Sequence, residues 1–497
     1  MDRVARIRKS RNGWKSKAVS RGSQIRDLRK KLDRMQKRLQ YKAQISRIGT
    51  GIASAIQLPV PIQIIPWIQL RTVCVMMVIR GIVCFRAVPR ILRISPLLGS
   101  MQIQVVPHFT SVIHWSLRAG LALFEQVSIL CEPWLAIIDC SIDVGTRKAL
   151  VVLRVPLSAL SRKQGAIGLE DCQCIGLKIS SQWNGEQVKN ALMETFAQAG
   201  MPRAIIKDGG TDLNKGVRLY RETEGAKTVW VIDDVGHTAA NALKAEFSKR
   251  SAFAKFLEIV RKGAARIRQT DLAPLSPPKI RTKGRFQGIT AVAEWAERIL
   301  RLMGGQGRSK DNSQSSGLRK AFRGLSQLRS FLEQFDATCR MTEQFLKIMK
   351  QKGINQASYA ETRALLEQLP ERSKVRTCLL SWLNRHLRLQ CRLGIGQISL
   401  IVSSDVIESL FGKFKTIIQR NPQAELNRLV YIIPLLCGNH TEAEIDRNLR
   451  NCSHLHLLNQ IKQDIPLTLR QQRRLGLHSA SPDKVPKPGN LTGSKGS

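Results

Sequence analysis

Three short apolar runs that each close on an aspartate constrain this chain more than any other feature in it. They are Trp134-Leu-Ala-Ile-Ile-Asp139, Arg203-Ala-Ile-Ile-Lys-Asp208 and Thr228-Val-Trp-Val-Ile-Asp233. Brief runs rich in apolar and β-branched residues, bounded by turn residues, read as buried strands. Gly145-Thr-Arg147 is a turn leading to a second strand at Ala149–Pro156, and Ile175–Ile179 is a shorter third. Helical patterns fill Gly185–Gly200 and Leu213–Glu222. Three antiparallel-looking strands followed by helix, strand, helix, strand predict an α/β sheet that alternates in its second half.

A later stretch, Ser403–Lys415, sorts into two helical faces. Ile407, Leu410, Phe411 and Phe414 form an apolar stripe suited to packing on a sheet. Asp405, Glu408, Gly412 and Lys415 share another face, one turn apart. Two readings are open. Asp405 with Glu408 three residues on has the spacing of a capping box. A carboxylate, a residue without a side chain and a cation on one face equally suit a metal ligand beside a bound phosphate.

The partner class follows from charge. With 80 Lys+Arg against 37 Asp+Glu the formal charge is +43, spread over the whole chain, and nucleic acid is the expected polyanion. Eleven cysteines show no paired spacing, and Cys172-Gln-Cys174 lacks partners at zinc-ligand distance, so free thiols in a reducing compartment are expected. The apolar span Ile52–Phe85 is broken by Pro59, Pro61, Pro66, Arg71 and Arg80, leaving no clean run of about 20 apolar residues. It reads as a helical region, with no membrane partner.

Residues 1–50 carry 17 Lys+Arg against three acids and read as a phosphate-contacting arm. Within the arm Ile25, Leu28, Leu32, Met35 and Leu39 form a short heptad seam, open to a self-packed helix or a dimer zipper. Residues 51–125 are expected to be helical. Thr110 or Ser111 is placed to cap a helix that reaches Arg118 and stops at Gly120. A helix-turn-helix that brings Arg118 to DNA and a plain helical hairpin both fit. Residues 241–394 and 426–478 read as helical, and 479–497 as a disordered Pro/Gly/Ser/Lys tail. Asp143 and Asp212 read as turn caps. His237, in Asp234-Val-Gly-His237 after the last strand, is open to a phosphate-contacting role or simple exposure.

Taken together, Ile137-Ile-Asp139, Ile205-Ile-Lys-Asp208-Gly-Gly and Ile407-Glu408-Ser-Leu-Phe-Gly-Lys-Phe-Lys415 resemble the cut-and-paste transposases of bacterial insertion sequences. That family has an RNase H-like core and an Asp-Asp-Glu triad, often with a lysine seven residues after the glutamate, where Lys415 stands. The resemblance spans roughly residues 130–425. It implies sheet order 3-2-1-4-5, a catalytic core built from 130–240 and 395–425, and a helical insertion at 241–394. It makes Asp139, Asp208 and Glu408 the catalytic, metal-binding triad, preferring Asp208 to Asp233 or Asp234. It also implies Mg²⁺, with Mn²⁺ able to substitute, double-stranded DNA as substrate, a dimer or larger oligomer on DNA, and a cytoplasmic, nucleoid-associated bacterial location. Some relatives have tyrosine and arginine in the turns before the glutamate. Ile401 and Ser404 occupy those places here, so phosphate clamping would fall to Lys413 or Lys415. The alternative is a DNA-binding regulator or domesticated relative without catalysis.

Overall fold

The computed structural model describes residues 63–64, 66–95, 101–103, 105–140, 147–163, 166–180, 182–280, 286, 288–304, 311–418, 427–465 and 473. The basic arm, its heptad seam, Asp143 and the tail lie outside them. The chain divides into two compact units. Of the smaller, residues 1–64 with 96–102, the described part is a short parallel pairing of Gln63–Ile64 with Met101–Gln102. The larger comprises residues 65–95 with 103–497.

Its centre is a five-stranded mixed sheet. The strands are β1 (Trp134–Asp139), β2 (Lys148–Pro156), β3 (Gln173–Ser180), β4 (Ala204–Lys207) and β5 (Trp230–Asp233). They lie in the order 3-2-1-4-5, with β1–β2 and β2–β3 antiparallel and β1–β4 and β4–β5 parallel. This mixed α/β architecture is compatible with an RNase H-like core. Strand β1 is buried on both faces. Because successive side chains point to opposite sides, Leu135 and Ile137 enter one core while Trp134, Ala136 and Ile138 enter another. The second core is covered by α5 (Gly185–Ala199) and α6 (Thr211–Arg221), through Val188, Leu192, Phe196, Leu213, Val217 and Tyr220. Asn184 caps α5 in a reciprocal box with Gln187, and Gly200 ends it at φ 85°.

The first core is covered by α7 (Val235–Phe247), the C-terminal helical segment 427–465, and the late helix α14 (Asp405–Ile418). Ile407, Leu410, Phe411 and Phe414, the apolar stripe read from sequence, are all buried, together with Val406 and Ile417. Between α7 and α14 the chain forms a helical body: α8 (Ser251–Ile267), α9 (Thr290–Gly304), α10 (Asp311–Ala321), α11 (Arg329–Lys352), α12 (Gln356–Glu367) and α13 (Lys374–Arg392). Aromatic packing ties it to the core, with the Phe247 and Phe335 rings 4.8 Å apart, edge to face.

Ahead of the sheet lie α1 (Trp67–Ile79), α2 (Val88–Ile94) and α3 (Phe109–Glu125), and α4 (Leu157–Lys163) follows β2. The cap of α3 is His108, whose ring accepts from the Thr110 amide, rather than Thr110 or Ser111. Gly120 does not stop this helix. It lies within it, where a Cβ would sit 1.8 Å from the Tyr431 carbonyl oxygen, so glycine permits a close crossing with residues 428–436. Helix α3 is buried along Val112, Trp115–Leu117 and Ala119–Ala122. It packs with α15 (Glu442–Asn451) and α16 (His454–Asp464), so the N- and C-terminal helical regions form one body around it. Among the described residues, no helix is long and apolar enough to cross a membrane.

Candidate active site

The parallel register places the acids. Ile138 pairs with Lys207, and Lys207 pairs with Asp233. One residue further along, Asp139 and Asp208 leave neighbouring strands side by side, about 4.8 Å being the usual strand spacing. Asp139 is only 6 % exposed. Its carboxyl is pushed up to about 7, first by burial and next by the Asp208 charge, with Glu408 adding in the same direction. The Cys140 amide and His237 act against this rise. Asp208 is partly exposed, and its Oδ1 accepts from the Gly210 amide at 2.8 Å.

The Glu408 charge acts on Asp139 from a helix, α14, whose start is pinned, and the pin is Asp234. Its buried carboxylate accepts from the Ser404 amide at 2.8 Å and the Ser404 hydroxyl at 3.1 Å through Oδ2. Through Oδ1 it accepts from the His237 amide at 2.7 Å and faces His237 Nδ1 at 3.0 Å. The Val235 amide also donates to the Val402 carbonyl at 2.9 Å. Burial opposes ionisation of Asp234, but the His237 and Ser404 hydrogen bonds outweigh it and hold its carboxyl below the usual carboxylate range. One carboxylate thus fixes the start of the glutamate helix and the orientation of the histidine. The other His237 nitrogen, Nε2, lies 3.9 Å from Asp208 Oδ2. Its hydrogen bond with Asp234 raises the His237 pKa against burial, and the Asp208 and Asp139 charges add to the rise. His237 therefore bridges two acids rather than standing in solvent.

Asp405 does not act as the cap that sequence spacing allows. Its carboxylate pairs with Lys350 of α11 at 2.6 Å, while the Ser403 hydroxyl accepts from the Asp405 amide. Glu408 and Gly412 are exposed on one face with nothing within 4 Å of a Cβ built on Gly412, and Lys415 follows half-buried. Lys413 lies roughly 140° around the helix from Glu408 at 100° per residue. Its charge acts on the buried Cys437. Beside Glu408, His237, Lys350 and Asp405 opens a cleft of about 540 Å³ whose far wall includes Phe286 and Ile289.

Asp233, on the edge strand, is excluded from the acid cluster by its partners. Lys207 Nζ lies 2.7 Å from one oxygen and Arg385 Nη2 2.7 Å from the other. Burial raises its pKa, but those two cations prevail and lower it. Arg118 is likewise occupied within the protein, donating to the carbonyls of Leu449 and Cys452 at the end of α15. Sequence reasoning passed over Asp234 and Ser404 as working parts. The available signal was an aspartate one residue beyond a strand end, opening a helix with a histidine three residues later.

No family model matches the chain. No curated protein matches it in sequence. Among solved structures it is similar to a chain of the Drosophila P element transposase strand transfer complex, at 10% identity and a TM-score of 0.39, over 76% of this chain and 91% of that one. So loose a likeness bears on neither the residues nor the chemistry.

Among the described residues no group of three His, Cys, Asp or Glu side chains is close enough to hold a metal ion. The donor set still suits a hard divalent cation. Mg²⁺ keeps several waters and commonly takes one or two carboxylates plus substrate phosphate. Asp139 and Asp208 form such a pair, and the Asp139 pKa, raised first by burial and then by the Asp208 charge, marks a carboxyl whose ionised form a cation would favour.

Proposed function

We propose that this chain is a DNA transposase of the Asp-Asp-Glu type, nicking the ends of a bacterial insertion sequence and joining the freed 3′-hydroxyl to target DNA. The observation that carries the reading is the placement of Asp139 and Asp208 on adjacent parallel strand ends, with the Glu408 helix fixed beside them by Asp234. A net charge of +43 supports DNA as the substrate.

Asp139 and Asp208 would hold Mg²⁺ or Mn²⁺, with Glu408 as the third carboxylate of the site. When bound, such ions relieve charge on the scissile phosphate and favour an ionised attacking oxygen. The chain's own groups do the positioning. Lys415 lies on the Glu408 face and offers a point charge to a neighbouring phosphate, and Gly412 leaves space for that approach. His237, held by Asp234, places its ring Nε2 3.9 Å from Asp208 and can pass a proton there. Assembly as a dimer or larger oligomer on two element ends belongs to the same proposal.

The test is nicking of a supercoiled plasmid carrying the DNA that flanks the coding sequence, with Mg²⁺ or Mn²⁺. Wild-type protein should nick it, while Asp139→Asn, Asp208→Asn and Glu408→Gln should bind the same DNA and leave it intact. DNA binding by wild type without metal-dependent nicking would instead favour a non-catalytic regulator.

A further inference from the structure

A second site lies on the free edge of the sheet. Strand β5 is the outermost strand on its side. Against it α13 is anchored at Asp233, whose carbonyl accepts from the Trp382 indole at 3.1 Å and whose amide donates to His386 Nε2 at 3.2 Å. Between strand and helix opens a cleft of about 950 Å³. Among the described residues five arginines line it, Arg221, Arg376, Arg385, Arg388 and Arg392, against one carboxylate, that of Asp233. Asp233 is already shared between Lys207 and Arg385, so the other four have no acid among the described residues of the cleft.

Their remaining partners are few. Arg376 donates to the Leu369 carbonyl at 2.9 Å. Arg392 stacks over the Trp230 ring, 5.5 Å from its centroid. The buried Nε of Arg221 has no hydrogen-bond partner among the described residues. Arg388 is exposed and forms no ion pair there either. Clustered guanidinium groups repel one another, and their planar forks match phosphate oxygens.

The cleft lies along the outer edge of the same sheet as the acids. Ile138, Lys207 and Asp233 are level across the parallel half, so Asp233 is two strand spacings, about 10 Å, from β1, one residue short of Asp139 and Asp208 and on the other face of the sheet. We propose that the Arg221/Arg376/Arg388/Arg392 cleft binds the phosphodiester backbone of DNA that continues past the acid cluster and along the outer edge of β5, from Asp233 back to Trp230. This rests on the reading of the protein as acting on DNA, and it adds a second, non-catalytic backbone site with Trp230 as its floor.

The experiment is anisotropy of a labelled DNA duplex, without divalent metal, across a salt series, using the full chain. The pair Arg388→Gln/Arg392→Gln should lower the slope of log K against log salt by about 0.9 for each lost phosphate contact. Arg388→Lys/Arg392→Lys should retain the slope, since the charge remains. Arg298→Gln, an exposed arginine of α9, should leave it unchanged. An unchanged slope in the glutamine pair, an equal loss in the lysine pair, or an equal loss from Arg298→Gln would overturn the cleft assignment. Absence of any salt-dependent binding by wild type would overturn the DNA reading along with it. Because no metal is present, loss of nicking by the triad variants does not affect this result.

Discussion

Replacing Asp139 by Asn should stabilise the metal-free protein at neutral to alkaline pH while abolishing its activity. The folded carboxyl titrates at about 7 because burial and the neighbouring acids disfavour its charge, against 3.8 in the unfolded chain. The folded state therefore binds the extra proton between those two values. Stability falls as pH rises through that window and levels off above about 7. Roughly three pH units at 1.36 kcal/mol each give a penalty on the order of 4 kcal/mol at pH 8, an upper limit before local relaxation. A side-chain amide has nearly the shape of the carboxylate without its charge, so Asp139→Asn should gain about 2–4 kcal/mol at pH 8 and nothing below pH 4. Urea unfolding of both proteins at pH 4, 6 and 8, with chelator present, reads this directly. Added Mg²⁺ should stabilise wild type and leave the variant unmoved, because ligand binding to the folded state shifts unfolding only where the site exists. A variant equally or less stable than wild type at every pH would refute the account of Asp139 as a buried carboxylate under repulsion.

Asp234→Asn should destabilise by about 2–4 kcal/mol at pH 7, since one amide oxygen cannot serve both the His237 and Ser404 donors. Its carboxyl is held below the ordinary range, so the difference from wild type should shrink only as pH falls below about 4. Glu408→Gln and Lys415→Ala should separate: the first keeps DNA affinity and loses nicking, the second lowers the salt slope by about 0.9 and keeps metal response. Lys413→Ala should change the slope less than Lys415→Ala. Gly120→Ala should cost several kcal/mol or prevent folding, because the added carbon meets the Tyr431 carbonyl backbone rather than a movable side chain. Circular dichroism melts of Gly120→Ala against Ala122→Gly, a neighbour in the same helix, isolate that clash from helix propensity.

Much of the core was legible because its causes are local. Trp134–Asp139 and Trp230–Asp233 are strands since short apolar runs cannot be solvated, and the Ile407/Leu410/Phe411/Phe414 stripe has the period of a helix packed on a sheet. The same periodicity put Glu408 and Gly412 on the opposite, exposed face. What stayed hidden depends on groups distant in the chain. Asp208, Asp233 and Asp234 all follow short apolar strands, yet tertiary partners give them three fates. Asp208 stands open beside Asp139. Asp233 is neutralised between Lys207 and Arg385, and Asp234 is buried as the tie between His237 and Ser404. Likewise, Arg118 and Gly120 suit a helix that reads DNA, but the fold buries that helix against residues 428–436 and turns the arginine onto a helix end. Backbone periodicity decides what an element is. Which charge survives unpaired depends on the low-dielectric neighbours that folding brings to it.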